Sequence, residues 1–114
     1  MEVMTLKLVL AAGCLAMISL VPARADEIAT YDLTLEGTTF KPAELRVKAD
    51  EPFVINFNNM NTAPAELEAI DLKIEKIAPA KSTISVRVLP ADAGTYTFVD
   101  EFQEDVAKGT IIAE

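Results

Sequence analysis

The residues best placed to do chemistry are acids towards the end of the sequence. Tyr96, Phe98 and Asp100 alternate along a predicted strand, so their side chains point to one face. The two aromatic rings belong in a core, which aims the Asp100 carboxylate at the end of that core. A charge in that position needs either hydrogen bonds or a metal ion as its partner. Two interpretations of Asp100 therefore stay open: a ligand to a hard cation, or an acceptor of hydrogen bonds from loop amides.

Four further acids are candidates for a site with Asp100. Glu101 and Glu104 follow it in the same loop, and Glu66 and Glu68 share one face if their segment is extended. Carboxylate oxygens suit hard cations such as ferric iron, manganese and calcium. A solvated acidic edge is the alternative interpretation of Glu66 and Glu68. Because its parity is opposite to that of Asp100, Glu101 is expected at the surface.

Most catalytic chemistry lacks the side chains that it requires. The chain contains no histidine, and its single cysteine is Cys14, near the N-terminus. Without histidine, neither a Ser-His nor a Cys-His catalytic pair can be built. Only four glycines are present, and none belongs to a phosphate-binding loop. Hydrolase and kinase activities are therefore unsupported.

The first 25 residues have the features of an export signal. The apolar run Leu8–Val21 is shorter than the ~20 residues of a typical transmembrane helix. It is followed at residues 23–25 by Ala-Arg-Ala, a small-x-small cleavage site. We therefore predict a signal peptide over residues 1–25 and an exported mature domain over residues 26–114. Lipoprotein processing at Cys14 and an uncleaved anchor are the alternatives.

The predicted mature domain is strongly acidic. Removing residues 1–25 takes away Glu2, Lys7 and Arg24, which changes the formal net charge from −8 to −9. This excess of acids argues against nucleic acid or anionic lipid as a partner. It is compatible with cation binding or simply with solubility. With 89 residues and no cysteine, the domain must be held together by packing alone.

Short segments of alternating apolar residues predict an all-β domain. In one of them Phe53, Ile55 and Phe57 are in phase, and clusters of turn residues separate this segment from its neighbours. Several short strands with such punctuation predict a single antiparallel Greek-key β-sandwich.

The segment from Ala65 to Ile77 fits two patterns. Leu67 and Ile70 share a helical face with Ile74, whereas Leu72 and Ile74 also alternate as in a strand. The β-rich context favours the strand. We therefore predict a helical turn or irregular link near Pro64, followed by a strand through residues 72–77.

Three further segments resemble parts of one known fold. They are FKPAELRVKADEPFVINFNN (residues 40–59), GTYTF (residues 94–98) and KGTII (residues 108–112). Their order resembles the order of segments in the cupredoxin fold. In copper proteins of that fold, the resemblance places a cysteine at the position of Asp100 and a histidine at the position of Gln103. The other histidine position falls near Ala65 or Glu66. A type 1 copper site needs imidazole and thiolate ligands, so the resemblance implies the fold without that site.

Two segments carry a closer resemblance: APAELEAIDLKIEK (residues 63–76) and FVDEFQEDVAKGTIIAE (residues 98–114). They resemble the EfeO-type cupredoxin-like proteins that accompany bacterial ferrous-iron uptake. The resemblance implies a periplasmic accessory protein that binds iron and works with a membrane iron permease and other periplasmic iron-uptake components. Asp100 and Glu66 are the implied ligands, with Glu68, Gln103 and Glu104 as helpers. The same resemblance adds interest to Glu75.

Two other functions stay open. A carboxylate site stabilises ferric over ferrous iron, so the protein is alternatively a ferroxidase or an electron-transfer partner during uptake. The third interpretation is a metal-free interaction module whose acidic loop docks on a basic patch of a partner. Copper, with Met60 as a soft ligand, or another divalent cation is the alternative to iron.

Overall fold

The computed structural model describes residues 27–114, which form nine β-strands and two short 3₁₀ turns. The strands are β1 Ala29–Glu36, β2 Thr39–Lys41, β3 Glu44–Val47, β4 Phe53–Asn59, β5 Ala65–Ala69, β6 Ile74–Ala78, β7 Ser82–Val88, β8 Gly94–Asp100 and β9 Lys108–Ala113. The 3₁₀ turns span Ile70–Leu72 and Glu101–Gln103. No helix among these residues has the length and apolar character needed to cross a membrane. The predicted signal peptide, including Cys14, lies outside the described residues.

The strands form two sheets that enclose one core. The four-stranded sheet has the order β2-β1-β4-β7, and the five-stranded sheet has the order β3-β9-β8-β5-β6. Side chains alternate between core and exterior, as in β4, where Phe53, Ile55 and Phe57 are buried. The predicted all-β sandwich is therefore confirmed.

Each sheet contains one parallel pair, so both sheets are mixed rather than wholly antiparallel. β1 pairs with β4 and β3 pairs with β9 in parallel, while the remaining pairs are antiparallel. The parallel pairing of β1 with β4 follows from the path of the chain. After β2 the chain leaves the four-stranded sheet, and β3 pairs with β9 in the five-stranded sheet. The chain then returns to β4 beside β1 in the same direction, and parallel neighbours need such a crossover.

The segment 65–77 forms two strands around a 3₁₀ turn, which corrects part of the prediction. An irregular link is present at Pro64, as the sequence predicts, but the unpredicted strand β5 follows it directly, and the 3₁₀ turn Ile70–Leu72 extends into the start of the predicted strand. The predicted strand 72–77 therefore agrees with the observed strand β6 only from Ile74 onwards. The buried face of β5 consists of Ala65, Leu67 and Ala69. Alanine is a weak strand former, so two small inward residues obscure the alternation in the sequence.

Aromatic rings fill the core where the two sheets meet. The ring centroids of Phe40 and Phe98 are 4.8 Å apart in an edge-to-face arrangement, and those of Phe40 and Phe57 are 6.2 Å apart. β9 passes close to this group at Gly109. A Cβ atom at Gly109 would overlap Cζ of Phe98 and would lie 2.8 Å from the carbonyl oxygen of Ala43. Glycine is therefore required for the close approach of β9.

Candidate functional site

Asp100 ends β8 with its side chain buried, as its parity predicts. It is 2% exposed, and its Oδ1 accepts hydrogen bonds from the N–H groups of Glu66 (2.9 Å) and Phe102 (3.1 Å). Its Oδ2 accepts a hydrogen bond from Nε2 of Gln103 at 2.9 Å. Three donors therefore surround the carboxylate, and these contacts match the hydrogen-bonded interpretation of Asp100.

Gln103 extends this bonding to the other sheet. Its Nε2 also donates to the carbonyl oxygen of Gly37 at 3.0 Å, and Nδ2 of Asn61 donates to the same oxygen at 2.9 Å. The N–H of Asn61 donates to Oδ1 of Asn59 at 3.0 Å. Within residues 27–114, Asn59 and Asp100 are the two buried polar or charged residues. A continuous chain of hydrogen bonds thus joins them between β4 and β8.

A second set of polar groups meets on the outer face of the five-stranded sheet. One carboxylate oxygen from each of Glu66, Glu75 and Glu101 lies within 4.8 Å of the others, and these three residues are called the acidic cluster. They come from β5, from β6 and from the turn after β8, respectively. Glu68 stands opposite Glu75 in the β5–β6 pairing and extends the cluster. Glu101 is half-buried, which corrects its predicted position at the surface.

Crowding changes the ionisation of two of these acids. Partial burial is the largest cause that raises the pKa of Glu66, and the charges of Glu101, Glu75 and Glu68 raise it further. Partial burial likewise raises the pKa of Glu68, followed by the charges of Glu101, Glu75 and Glu104. Every charged neighbour that contributes to these two shifts is another carboxylate. The fold therefore holds like charges together in the acidic cluster, and no lysine or arginine contributes to the pKa shifts of Glu66 and Glu68.

The raised pKa values predict an unusual pH dependence of stability. The folded protein binds protons at Glu66 and Glu68 more tightly than the unfolded chain does. The contribution of these two acids to the free energy of unfolding is thus fully present below the ordinary glutamate pKa of 4.5 and is lost as pH rises through the raised values. Urea unfolding from about pH 4 to about pH 8 is expected to show this decrease. Glu101→Gln removes a charge and is expected to flatten it, whereas an unchanged slope would contradict the explanation.

The structure divides the five predicted site residues between two places. Asp100 and Gln103 belong to the hydrogen-bonded chain at the end of the core. Glu68 projects from the outer face of β5, and Glu104 is exposed near it. Glu66 belongs to both places, because its N–H donates to Asp100 while its carboxylate is part of the acidic cluster.

The sequence indicated Glu66 and Glu101 as candidates for one site with Asp100, but it did not place Glu75 beside them. The position of Glu75 depends on the β5–β6 hairpin, which the ambiguous pattern of this segment concealed. The sequence indicated that Glu101 turns away from the core directly after β8, and the structure adds that β5 is the neighbouring strand. Its outward parity is therefore also what places it beside Glu66.

The donor set does not fit a type 1 copper ion. Residues 27–114 contain no histidine and no cysteine, and their single thioether, Met60, is 42% exposed. Asp100 and Gln103 stand where the resemblance places cysteine and histidine, and they bond to each other. Type 1 copper requires imidazole and thiolate, so the chemistry available in this part of the chain is that of oxygen ligands.

Comparison with known sequences gives one family match and one relative. The profile of a family described as cupredoxin-like domain matches residues 8–113. An uncharacterized protein of Rickettsia prowazekii (strain Madrid E) is 28% identical over 87 residues, which cover 76% of this chain and 70% of that protein.

Solved structures similar to this fold include copper proteins. The metal binding domain of the Cu(I)-exporting P-type ATPase CopA of Streptococcus pneumoniae D39, solved with Cu(I), has a TM-score of 0.69 at 16% identity, covering 81% of this chain and 91% of that one. Auracyanin A, a blue copper protein of Chloroflexus aurantiacus, has a TM-score of 0.63 at 14% identity, covering 77% of this chain and 100% of that one. At such identities the likeness concerns the fold alone.

Proposed function

The chain belongs to the cupredoxin-like domain family, and from this premise we propose that it handles metal through its acidic cluster, Glu66, Glu75 and Glu101. The observation that carries the proposal is the convergence of three carboxylate oxygens within 4.8 Å of one another. Like charges at this spacing repel, and the raised pKa of Glu66 reflects that repulsion as well as its partial burial. A hard cation bound between these oxygens would turn the repulsion into attraction.

Iron is the cation that we propose. Carboxylate oxygens are hard ligands, and they favour ferric iron in particular because the harder ion gains more from anionic oxygen. The resemblance of residues 63–76 and 98–114 to proteins of iron uptake supports the same choice. The lack of imidazole and thiolate ligands in residues 27–114 argues against the copper named for the similar solved structures.

The proposed setting is the bacterial periplasm. The apolar run and small-x-small site within residues 1–25 support export. We propose a role as an accessory protein to a membrane iron permease and other periplasmic iron-uptake components. The cluster lies on the outer face of a sheet rather than inside the core, which suits a cation that must be received and passed on.

The proposal is tested by anaerobic calorimetric titration of the protein with Fe²⁺, and with Mn²⁺ and Cu⁺ in parallel. Saturable Fe²⁺ binding is expected, and the double substitution Glu66→Gln with Glu101→Gln is expected to weaken it by about tenfold or more. Glu51→Gln is the matched control, because Glu51 is exposed and precedes β4, at the end of the sandwich remote from the cluster. Wild-type protein that does not bind Fe²⁺ would refute iron handling at this site.

Turnover distinguishes an iron carrier from the alternative, a ferroxidase. Substoichiometric amounts of a ferroxidase accelerate the oxidation of Fe²⁺ by O₂, and the double variant does not. A rate equal to that of buffer, together with saturable Fe²⁺ binding, identifies a carrier.

A second candidate function is docking to a basic partner protein. Phe102 and Val106 are 58% and 61% exposed, and they share one loop with the acids Glu101, Glu104 and Asp105. Exposed apolar side chains with a charged rim are typical of interaction surfaces. For a metal-free docking module, Fe²⁺ leaves the unfolding free energy unchanged, and partner capture weakens as the salt concentration rises.

A further inference from the structure

Asp100 lies directly beneath the acidic cluster without belonging to it. Among residues 27–114 it is the one buried charged residue, and the acceptor atom Oδ1 faces the backbone on both sides of the cluster. We propose that Asp100 is the positioning residue of the cluster: its Oδ1 ties β5 to the turn after β8, so that the carboxylates of Glu66 and Glu101 meet. The inference rests on the proposed function, since it treats the cluster as the cation site.

Backbone pairing alone does not hold Glu66 beside Glu101. The β5–β8 ladder ends at the pair formed by Leu67 and Asp100, one residue short of Glu66 and Glu101. At that point Oδ1 of Asp100 accepts the N–H of Glu66 at 2.9 Å and the N–H of Phe102 at 3.1 Å. The Oδ1 atom of Asp100 thus links β5 to the turn after β8 at the point where the backbone pairing of β5 and β8 ends.

The strength of these two bonds matters because the cluster pushes the strands apart. Glu66 and Glu101 carry like charges, and no further rung of the β5–β8 ladder opposes their separation. Hydrogen bonds to an ionised carboxylate are roughly twice as strong as those between neutral groups. The Asp100 carboxylate therefore holds the two ligands in place before any cation arrives, as a binding site requires.

Gln103 fixes the orientation of the Asp100 carboxylate. Its Nε2 donates to Oδ2 of Asp100 and to the carbonyl oxygen of Gly37, which lies in the turn between β1 and β2. Both hydrogens of that nitrogen are used, so Oδ1 is left to face the N–H of Glu66. Gln103 is neutral, and it orients the carboxylate without cancelling its charge.

The substitution Asp100→Asn tests this inference. It preserves the size of the side chain, removes the charge, and turns the atom facing Gln103 into a donor. In NMR spectra of the wild-type protein, the side-chain protons of Glu66 and Glu101 are expected to give a nuclear Overhauser effect. In folded Asp100→Asn this effect is expected to disappear, and Fe²⁺ affinity is expected to fall by about tenfold. Val86→Ala is the control, because it weakens the core on β7 without touching the cluster.

The outcomes separate positioning from stability and from the proposed function. Retention of both the Overhauser effect and the affinity in Asp100→Asn would overturn the inference, as would equal losses in Val86→Ala. If wild-type protein binds no Fe²⁺ but Asp100→Asn still loses the Overhauser effect, the proposed function fails and the positioning role stands. If Asp100→Asn does not fold, Gln103→Leu serves as the second variant. It removes the donor to Oδ2 and one of the two donors to the carbonyl oxygen of Gly37. Because the Asp100 carboxylate then lacks the contact that orients Oδ1, the Overhauser effect is expected to weaken, and an unchanged effect would overturn the inference.

Discussion

Asp100→Ala is expected to lower the free energy of unfolding by about 3–5 kcal/mol. The substitution leaves the N–H groups of Glu66 and Phe102 and one N–H of Gln103 without their acceptor. These hydrogen bonds are part-buried, and a donor shielded from water that loses its partner costs about 1–3 kcal/mol. Since domains of this size are stable by only about 5–15 kcal/mol, this loss is a large fraction of the total stability.

Urea unfolding at neutral pH measures this loss. Asp105→Ala is the matched control, because it removes an exposed acid from the same loop. A surface substitution of that kind is expected to change the unfolding free energy by less than about 0.5 kcal/mol. A loss below about 1 kcal/mol for Asp100→Ala would show that the carboxylate does not hold this end of the sandwich together.

Gly109→Ala is expected to lower the free energy of unfolding by about 3 kcal/mol, although it adds a single methyl group. That methyl would overlap the ring of Phe98 and press on the carbonyl oxygen of Ala43 at 2.8 Å. Phe98 is 1% exposed and packs edge-to-face on Phe40, so its ring has no free space to enter. β9 must therefore move outward, which also weakens its pairing with β8.

A smaller side chain at Phe98 provides the control for this explanation. Leucine shortens the side chain at the contact point, so the double substitution Gly109→Ala with Phe98→Leu is expected to lose less stability than the sum of the two single losses. The expected coupling is about 1 kcal/mol or more, measured by urea unfolding of all four proteins. Strictly additive losses would mean that the alanine methyl and the Phe98 ring do not collide.

Local alternation was sufficient to predict the sandwich and the direction of Asp100. A strand with one buried face fixes the parity of all its residues, so Phe98 in the core determines where Asp100 points. The same argument holds for Phe53, Ile55 and Phe57 in β4. These inferences need no knowledge of which strands are neighbours.

The acidic cluster could not be predicted in the same way, because it depends on neighbours. Glu75 reaches Glu66 only through the β5–β6 hairpin, and the small residues Ala65 and Ala69 conceal the first strand of that hairpin in the sequence. The parallel pairs and the close approach at Gly109 are likewise properties of register and packing. Residue types indicated which functional groups are available, carboxylates and amides, and the fold decides which of their oxygens meet.

The shared carbonyl oxygen of Gly37 has a consequence for how this protein can evolve. It receives hydrogen bonds from Asn61 and Gln103, and Gln103 also serves Asp100. A histidine at position 103 would have to donate to both Asp100 and the carbonyl oxygen of Gly37. A cysteine at position 100 would remove the carboxylate that accepts from Glu66, Phe102 and Gln103. Each step towards a copper site is therefore deleterious unless the others accompany it. Such epistasis closes the stepwise route between oxygen and sulfur chemistry in this chain.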